Sequence, residues 1–268
     1  MAKYVSLERP REGVALVTMT NPAINNHCSW IAVEQLAATL KEAREAGARV
    51  AVLASGVPGH WFEHAWLQDL ADVIEGKPAT AESIAWFNVL NEIGKTSLVT
   101  IAAISGDCSG GGAELGWACD LRIAEEQALF GQPEVQIALT TGIGGTCRLA
   151  RLIGRTAAAE MVMLGRPMTA RRIFELGGVN EVVTAGKSRD VALEWASTLA
   201  DRPPRALAAL KRILIANDDL NLTDALAKEQ EIFQSVANTP EAIATMRGIQ
   251  ARFNAGETIR QVYGMPRR

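Results

Sequence analysis

The stretch "LVTIAAISGDCSGGGAELGWACD", residues 98–120, constrains the fold more than any other part of the chain. It opens as an apolar run with no polar alternation, the pattern of a strand buried on both faces. Small residues follow, then three consecutive glycines, Gly110 to Gly112, and a helix predicted to begin near Gly111 with Glu114 on its first turn. A doubly buried strand needs layers on both sides, so this junction alone points to an α/β core. In such folds ligands gather at the carboxyl ends of strands, which is where the glycines fall.

The flanking sequence extends that pattern. "YVSLE" and "VALVTM" are β-branched runs separated by "RPREG", a hairpin signal. From Trp30 to Ala46, Val33, Leu36, Leu40 and Ala43 share one helical face, and "RVAVLAS" reads as a second buried strand. From about residue 188 the pattern becomes almost purely helical. Leu207, Leu210 and Leu214 form one stripe behind Pro203 and Pro204, and Leu222, Leu226, Ile232, Phe233 and Val236 form another. So much apolar helix surface has to pack on the core or on another subunit.

Charge and cysteine usage narrow the partners. A net charge of −3 gives no basic surface for nucleic acid or an acidic membrane, and neither is expected as a partner. The longest apolar stretch is too short to span a bilayer. Cys28, Cys108, Cys119 and Cys147 lack the paired spacing of zinc or redox sites and read as reduced, small hydrophobes. The charged opening "MAKYVSLERPREG" shows no apolar secretion segment, so a cytoplasmic location is expected.

Three stretches could carry chemistry. "HWFEH" places His60, Glu63 and His64 in the order of an inverted zinc-protease motif, which requires both histidines on one helical face and a third ligand. No histidine follows residue 64, and "SGVPG" just before it signals a loop. "GDCSGG" fits a cysteine nucleophile elbow, but that fold supplies its histidine after the nucleophile, and all three histidines precede Cys108. No metal is expected. The third candidate is the glycine triplet with Glu114, joined by Glu134 in "FGQPEVQ" and a further glycine cluster, Gly142 to Gly145. Free amides at a helix start favour an anion. Two glutamates in apolar surroundings have raised, coupled pKa values suited to acid–base work. Equally, Glu114 could cap its helix and Glu134 sit solvated in a turn.

Taken together, "SLVTIAAISGDCSGGGAELGWACDLRIA", "ALFGQPEVQIALTTGIGGTCRLARLIGRTAAAEMVMLGRPMTA" and "ELGGVNEVV" resemble the crotonase, or enoyl-CoA hydratase/isomerase, superfamily. The resemblance extends more loosely from the opening hairpin to "RPPRALAALKRIL". It implies an α/β spiral of ββα units over residues 1–190 that carries the acyl-CoA site, and a helical oligomerisation region over 191–268. It further implies a homotrimer or a dimer of trimers, an acyl-CoA thioester as partner, and no cofactor beyond the coenzyme A of the substrate.

The resemblance also assigns roles. Two main-chain amides, of Gly111 and Ala65, would hold the thioester oxygen, with Leu67, Gly112 and Gly142 around the substrate. Glu114 would activate water and Glu134 would protonate Cα, which implies hydration or its reverse; family isomerases often keep only the carboxylate matching Glu134. Asn26, His27 and Glu63 fall where the family approaches coenzyme A.

The chain departs from the pattern at four of these positions. His64 replaces the glycine before the donor alanine, and Trp66 replaces the aspartate after it. His27 stands for an alanine and Glu63 for a small residue. Either the loop still donates its amide, which needs no particular side chain, or His64 and Trp66 reshape the pocket. A repurposed scaffold that binds acyl-CoA without turning it over is a third reading.

Overall fold

The computed structural model describes residues 2–78, 81 and 84–264. Contacts divide the chain into two units, residues 1–204 and 205–268.

The first unit is built on ten strands in two sheets. The strands are β1 (Val5–Arg11), β2 (Val14–Met19), β3 (Val50–Ser55), β4 (Gly59–His60), β5 (Val99–Ile104), β6 (Gly106–Ser109), β7 (Leu121–Glu125), β8 (Leu129–Gly131), β9 (Met168–Thr169) and β10 (Glu181–Val183). The larger sheet runs β1-β2-β3-β5-β7-β10, antiparallel only between β1 and β2. The smaller runs β4-β6-β8-β9, with β4, β6 and β8 parallel. The predicted hairpin is therefore β1–β2, and the two apolar runs are β3 and β5. Five of the six residues of β3 and all six of β2 and β5 are buried, as their unbroken apolar sequence requires.

Helices of this unit are α1 (Trp30–Glu45), α2 (Leu67–Ile74), α3 (Ala85–Ile93), α4 (Gly110–Ala118), α5 (Gly145–Ile153), α6 (Arg155–Leu164), α7 (Ala170–Glu175) and α8 (Ser188–Ala200). Three times the chain runs from a strand of the large sheet into one of the small sheet and on to helix: β3–β4, β5–β6 and β7–β8. Helix α8 packs on β3, β5 and β7, and α1 packs on α3 and the β1–β2 hairpin. Leu53, Ile101, Ile104, Trp61 and Phe62 are among the largest fully buried side chains. Each such aliphatic chain contributes about 1.5–3 kcal/mol by leaving water.

The second unit contains α9 (Pro204–Asn217), α10 (Leu222–Ala237), α11 (Pro240–Asn254) and α12 (Ile259–Tyr263). Capping sets its boundaries: Asn221, Thr239 and Thr258 each accept a first-turn N–H, and Thr258 with Gln261 forms a reciprocal box. Ile232 is buried within the predicted stripe, but Leu210, Leu214, Leu222, Leu226 and Phe233 are exposed. Among the described residues no helix is long and apolar enough to cross a membrane.

Candidate active site

The three parallel strands of the small sheet each hand the chain to one part of a single cavity. After β4 comes the loop 61–66 with His64 and Ala65; after β6 comes α4 with Gly111 and Glu114; after β8 comes the bend with Glu134. A cavity of about 190 Å³ is lined by His64, Ala65, Gly111, Glu114, Glu134 and Gly142. Trp30, Leu70, Trp86, Phe87, Leu139, Thr140 and Ile143 complete the walls.

The loop after β4 is fixed from both sides. Cys28 N–H donates to His64 O and Trp66 N–H donates to Cys28 O, each at 3.0 Å, so the loop pairs with the segment before α1. Asp69 then accepts the Trp30 N–H at 2.8 Å and satisfies the start of α1. Among the described residues nothing accepts the Ala65 N–H.

Helix α4 begins at Gly110, one residue earlier than predicted, so Glu114 is its fifth residue and not on the first turn. It points into the cavity and is not a cap. Gly111 and Gly112 stand in the first turn, where helical N–H groups have no partner in their own helix. Gly112 admits no side chain, because an added Cβ would collide with the carbonyls of Phe62 and Glu63. At Gly111 an added Cβ would lie 3.4 Å from the Ala65 methyl, so the two residues adjoin across the cavity wall.

Both carboxylates are buried, Glu114 at 3 % exposure and Glu134 at 6 %. Glu114 Oε1 accepts the N–H of Ile143 at 2.9 Å and of Gly145 at 2.6 Å. Burial pushes its pKa up while these amides pull it down, leaving it raised. Glu134 follows Pro133 at the start of a short 3-10 helix, Glu134–Ile137. Burial, and then the charge of Glu114, push its pKa up to about 7. Gln132, its amide oriented with nitrogen toward Glu134, donates to both carboxylate oxygens at 3.0 and 3.2 Å and accepts from Trp117 Nε1 at 3.0 Å. The capping and solvated-turn alternatives for the two glutamates do not describe this arrangement.

The remaining sequence-derived candidates separate. A second cavity, about 300 Å³, is lined by His27, His64, Ala65, Trp66, Leu67 and Gln68, with the His27 and Trp66 rings edge to face at 5.8 Å. His64 and Ala65 thus line both cavities. Backbone carbonyls accept from both rings, Ile24 O from His27 Nδ1 at 2.6 Å and Ala65 O from His64 Nδ1 at 3.0 Å, which leaves Nε2 as the lone-pair nitrogen of each neutral ring. Asn26, Glu63 and Gly112 line neither cavity. Asn26 is fully buried in a left-handed turn, φ 58°, and spends its amide on Asn21 N–H, Met19 O, Ser55 Oγ and Trp61 O. The Glu63 carboxylate accepts from His60 Nδ1 at 2.9 Å and Ser109 Oγ at 3.1 Å.

The inverted zinc motif has no helix under it. His60 ends a two-residue strand and His64 lies in the loop, so the rings are not one turn apart. Cys108 is buried, and desolvation drives its thiol pKa well above the usual range, which makes it a poor nucleophile.

Sequence reasoning missed Gln132, Trp117 and the Ile143 and Gly145 amides as partners of the carboxylates. The one available signal was a lone amide side chain inside "LFGQPEV", between apolar neighbours that would leave it buried.

Residues 9–254 match the family model described as enoyl-CoA hydratase/isomerase. A probable mitochondrial enoyl-CoA hydratase 2 of Arabidopsis thaliana is 32 % identical over 249 residues, covering 90 % of this chain and 81 % of that protein. A short-chain-enoyl-CoA hydratase of Clostridium acetobutylicum is 30 % identical over 235 residues, covering 86 % and 89 %. The crystal structure of an enoyl-CoA hydratase from Bacillus anthracis superposes with a TM-score of 0.83 at 27 % identity, covering 93 % of this chain and 97 % of that one.

Proposed function

The chain belongs to the enoyl-CoA hydratase/isomerase family, and on that footing we propose that it is a hydro-lyase that adds water across the 2,3 double bond of an enoyl-CoA thioester, or removes it from the 3-hydroxy counterpart. The observation that carries this reading is the pair of buried carboxylates, Glu114 and Glu134, on one cavity beside the amides of Ala65 and Gly111.

The thioester oxygen lies against the Ala65 and Gly111 N–H groups. These hold the negative charge that develops as the enolate forms, each lowering the barrier by about 3–4 kcal/mol. Glu114, its carboxylate steadied by two amides, takes a proton from water as the oxygen attacks Cβ. Glu134, whose pKa near 7 keeps a proton available at neutral pH, delivers it to Cα. In dehydration the two exchange roles. Trp30, Leu70, Trp86 and Phe87 give the acyl chain an apolar wall. The neighbouring cavity at His27, Trp66 and Leu67, reached past Ala65, takes the coenzyme A arm, and His64 borders both ends of the thioester.

The exposed apolar residues of α9 and α10, Leu210, Leu214, Leu222, Leu226 and Phe233, support assembly as a homotrimer or dimer of trimers, for which the second unit is the oligomerisation region.

Turnover is measured as loss of the conjugated enoyl-thioester absorbance, with products weighed after reaction in isotopically labelled water. The expected result is an oxygen gained from solvent, abolished by Glu114→Gln and by Glu134→Gln. Full turnover in both variants overturns the assignment. A product of unchanged composition identifies an isomerase, and binding without any product identifies a noncatalytic scaffold.

A further inference from the structure

Strands β4 and β6 lead two arms of chain side by side to the cavity. They pair at Gly59–Gly106 and His60–Asp107, Trp61 N–H donates to Asp107 O at 2.9 Å, and beyond that point the arms stay in contact, Gly112 against the carbonyls of Phe62 and Glu63. Each arm then delivers one cavity amide: Ala65 on the first, Gly111 on the second. Glu63 and Ser109 stand two residues before these amides, and they are joined to each other, Ser109 Oγ donating to Glu63 Oε2 at 3.1 Å. The other carboxylate oxygen is anchored by His60 Nδ1 at 2.9 Å, and the Glu63 side chain is only 12 % exposed.

Ser109 is the N-cap residue of α4 and has the extended backbone of one, φ −142° and ψ 160°. A serine there ordinarily turns its oxygen onto the N–H of the second or third helical residue. In α4, which begins at Gly110, those residues are Gly111 and Gly112. The Ser109 side chain makes no such bond; its hydroxyl is committed to Glu63 instead.

We propose that Glu63 is a positioning residue that keeps the Gly111 amide available to the ligand by holding the Ser109 hydroxyl away from the helix start. The inference rests on the reading of Gly111 as a donor to the thioester oxygen. It gives Glu63 a role through its carboxylate, where the sequence placed it at the coenzyme A. Without Glu63, the freed hydroxyl rotates onto the first turn of α4 and competes with the thioester for the same N–H. Without both side chains, no competing oxygen remains.

The test compares wild type, Glu63→Ala, Ser109→Ala and the double variant by two measurements. The first is the red shift of a bound coenzyme A thioester of an amino-substituted cinnamate, whose absorbance reports polarisation of its carbonyl, together with kcat and KM on an enoyl-CoA. The second, which needs no ligand, is hydrogen exchange at the Gly111 and Gly112 amides. Glu63→Ala is expected to lose most of the red shift and about 10- to 100-fold in kcat with a smaller change in KM, a part of what losing one donor outright costs. Ser109→Ala loses less, and the double variant recovers most of what Glu63→Ala lost. Exchange at Gly111 or Gly112 slows in Glu63→Ala and returns in the double variant. A double variant no better than Glu63→Ala, or unaltered exchange in Glu63→Ala, overturns the proposal. Wild type that binds the thioester with no red shift sinks the donor role of the amides instead, and the exchange measurement still decides what Glu63 does to Ser109.

Discussion

Glu114 and Glu134 share one cavity but are held in opposite ways. Glu114 Oε1 receives two main-chain N–H groups, from Ile143 and Gly145, whereas Glu134 is met by the Gln132 amide and faces the charge of Glu114. Burial raises the pKa of both; main-chain dipoles oppose it at Glu114, and at Glu134 the charge of Glu114 adds to it. Two identical side chains thus meet different surroundings, which is what the proposed division into base and acid rests on.

The pH profile follows from that separation. Hydration needs Glu134 protonated, a form complete below its pKa of about 7 and lost as pH rises through it. The expected kcat/KM for hydration therefore falls toward a tenfold loss per pH unit above about 7. Dehydration starts from the same singly protonated pair with the proton on Glu114, and because the overall reaction consumes no proton its kcat/KM follows the same profile. Initial rates in both directions from pH 5 to 9 check this; a hydration kcat/KM that does not fall above about pH 7 contradicts the assignment.

The same group should affect stability. A carboxylate whose pKa is raised on folding binds more protons folded than unfolded, so its contribution becomes less favourable as pH rises from the unfolded value toward 7. Glu134→Gln removes this penalty. Its Tm is expected to exceed that of wild type by an amount that grows between pH 5 and 8, up to about 3 kcal/mol in stability. Calorimetry at several pH values measures it.

Gln132 links Trp117 to Glu134. Gln132→Leu leaves the buried Trp117 N–H without its acceptor and Glu134 without its amide donor. The stability loss should be about 1–3 kcal/mol. With a donor to the charged form removed, the alkaline limb of the hydration profile moves to higher pH. Denaturant titration and pH–rate curves of the variant test the two effects separately.

Gly112→Ala places a methyl against the carbonyls of Phe62 and Glu63, main-chain atoms that cannot turn aside. The expected result is a loss of about 1–3 kcal/mol in stability from overpacking. Catalysis should also fall, because relieving the collision moves α4 away from the loop that carries Ala65. Tm and kcat of the variant decide it, and unchanged values of both contradict this packing.

Association through the second unit is tested on α10. Leu226→Glu and Phe233→Glu put charges on side chains that are 57 % and 55 % exposed in the single chain. They should cost the folded monomer less than 0.5 kcal/mol or so, as ordinary surface changes do. If this face is covered by another copy, each substitution shifts the sedimentation profile toward the monomer. A wild-type chain that already sediments as a monomer removes the basis for assembly.

Much of the fold was legible because burial on both faces leaves an unbroken apolar run, as in β3 and β5, and because prolines and glycines mark the ends of α4, α5 and α9. The glycine triplet and the two glutamates were visible for the same reason: their residue types are costly in a core unless used. The partners of the carboxylates were not visible. Ile143 and Gly145 act through backbone nitrogens, which no side chain announces, and they reach Glu114 across some thirty residues of chain. The partners of Asn26 were not legible, because its identity says only that it needs hydrogen bonds; the turn at φ 58° shows its amide bonded to the interior. Glu63 presents the same difficulty, since its carboxylate meets a serine that lies forty-six positions later.

The threefold succession of large-sheet strand, small-sheet strand and helix has a consequence for how such a molecule can diverge. Each succession brings one part of the cavity lining to the same strand end: the loop with Ala65, then Gly111 with Glu114, then Glu134. Because these parts come from different segments, one can be rewritten while the others stay as they were. The segment after β4, with His64 and Trp66, borders the second cavity as well as the first, so a change there alters both spaces and leaves the segments that bear the carboxylates in place.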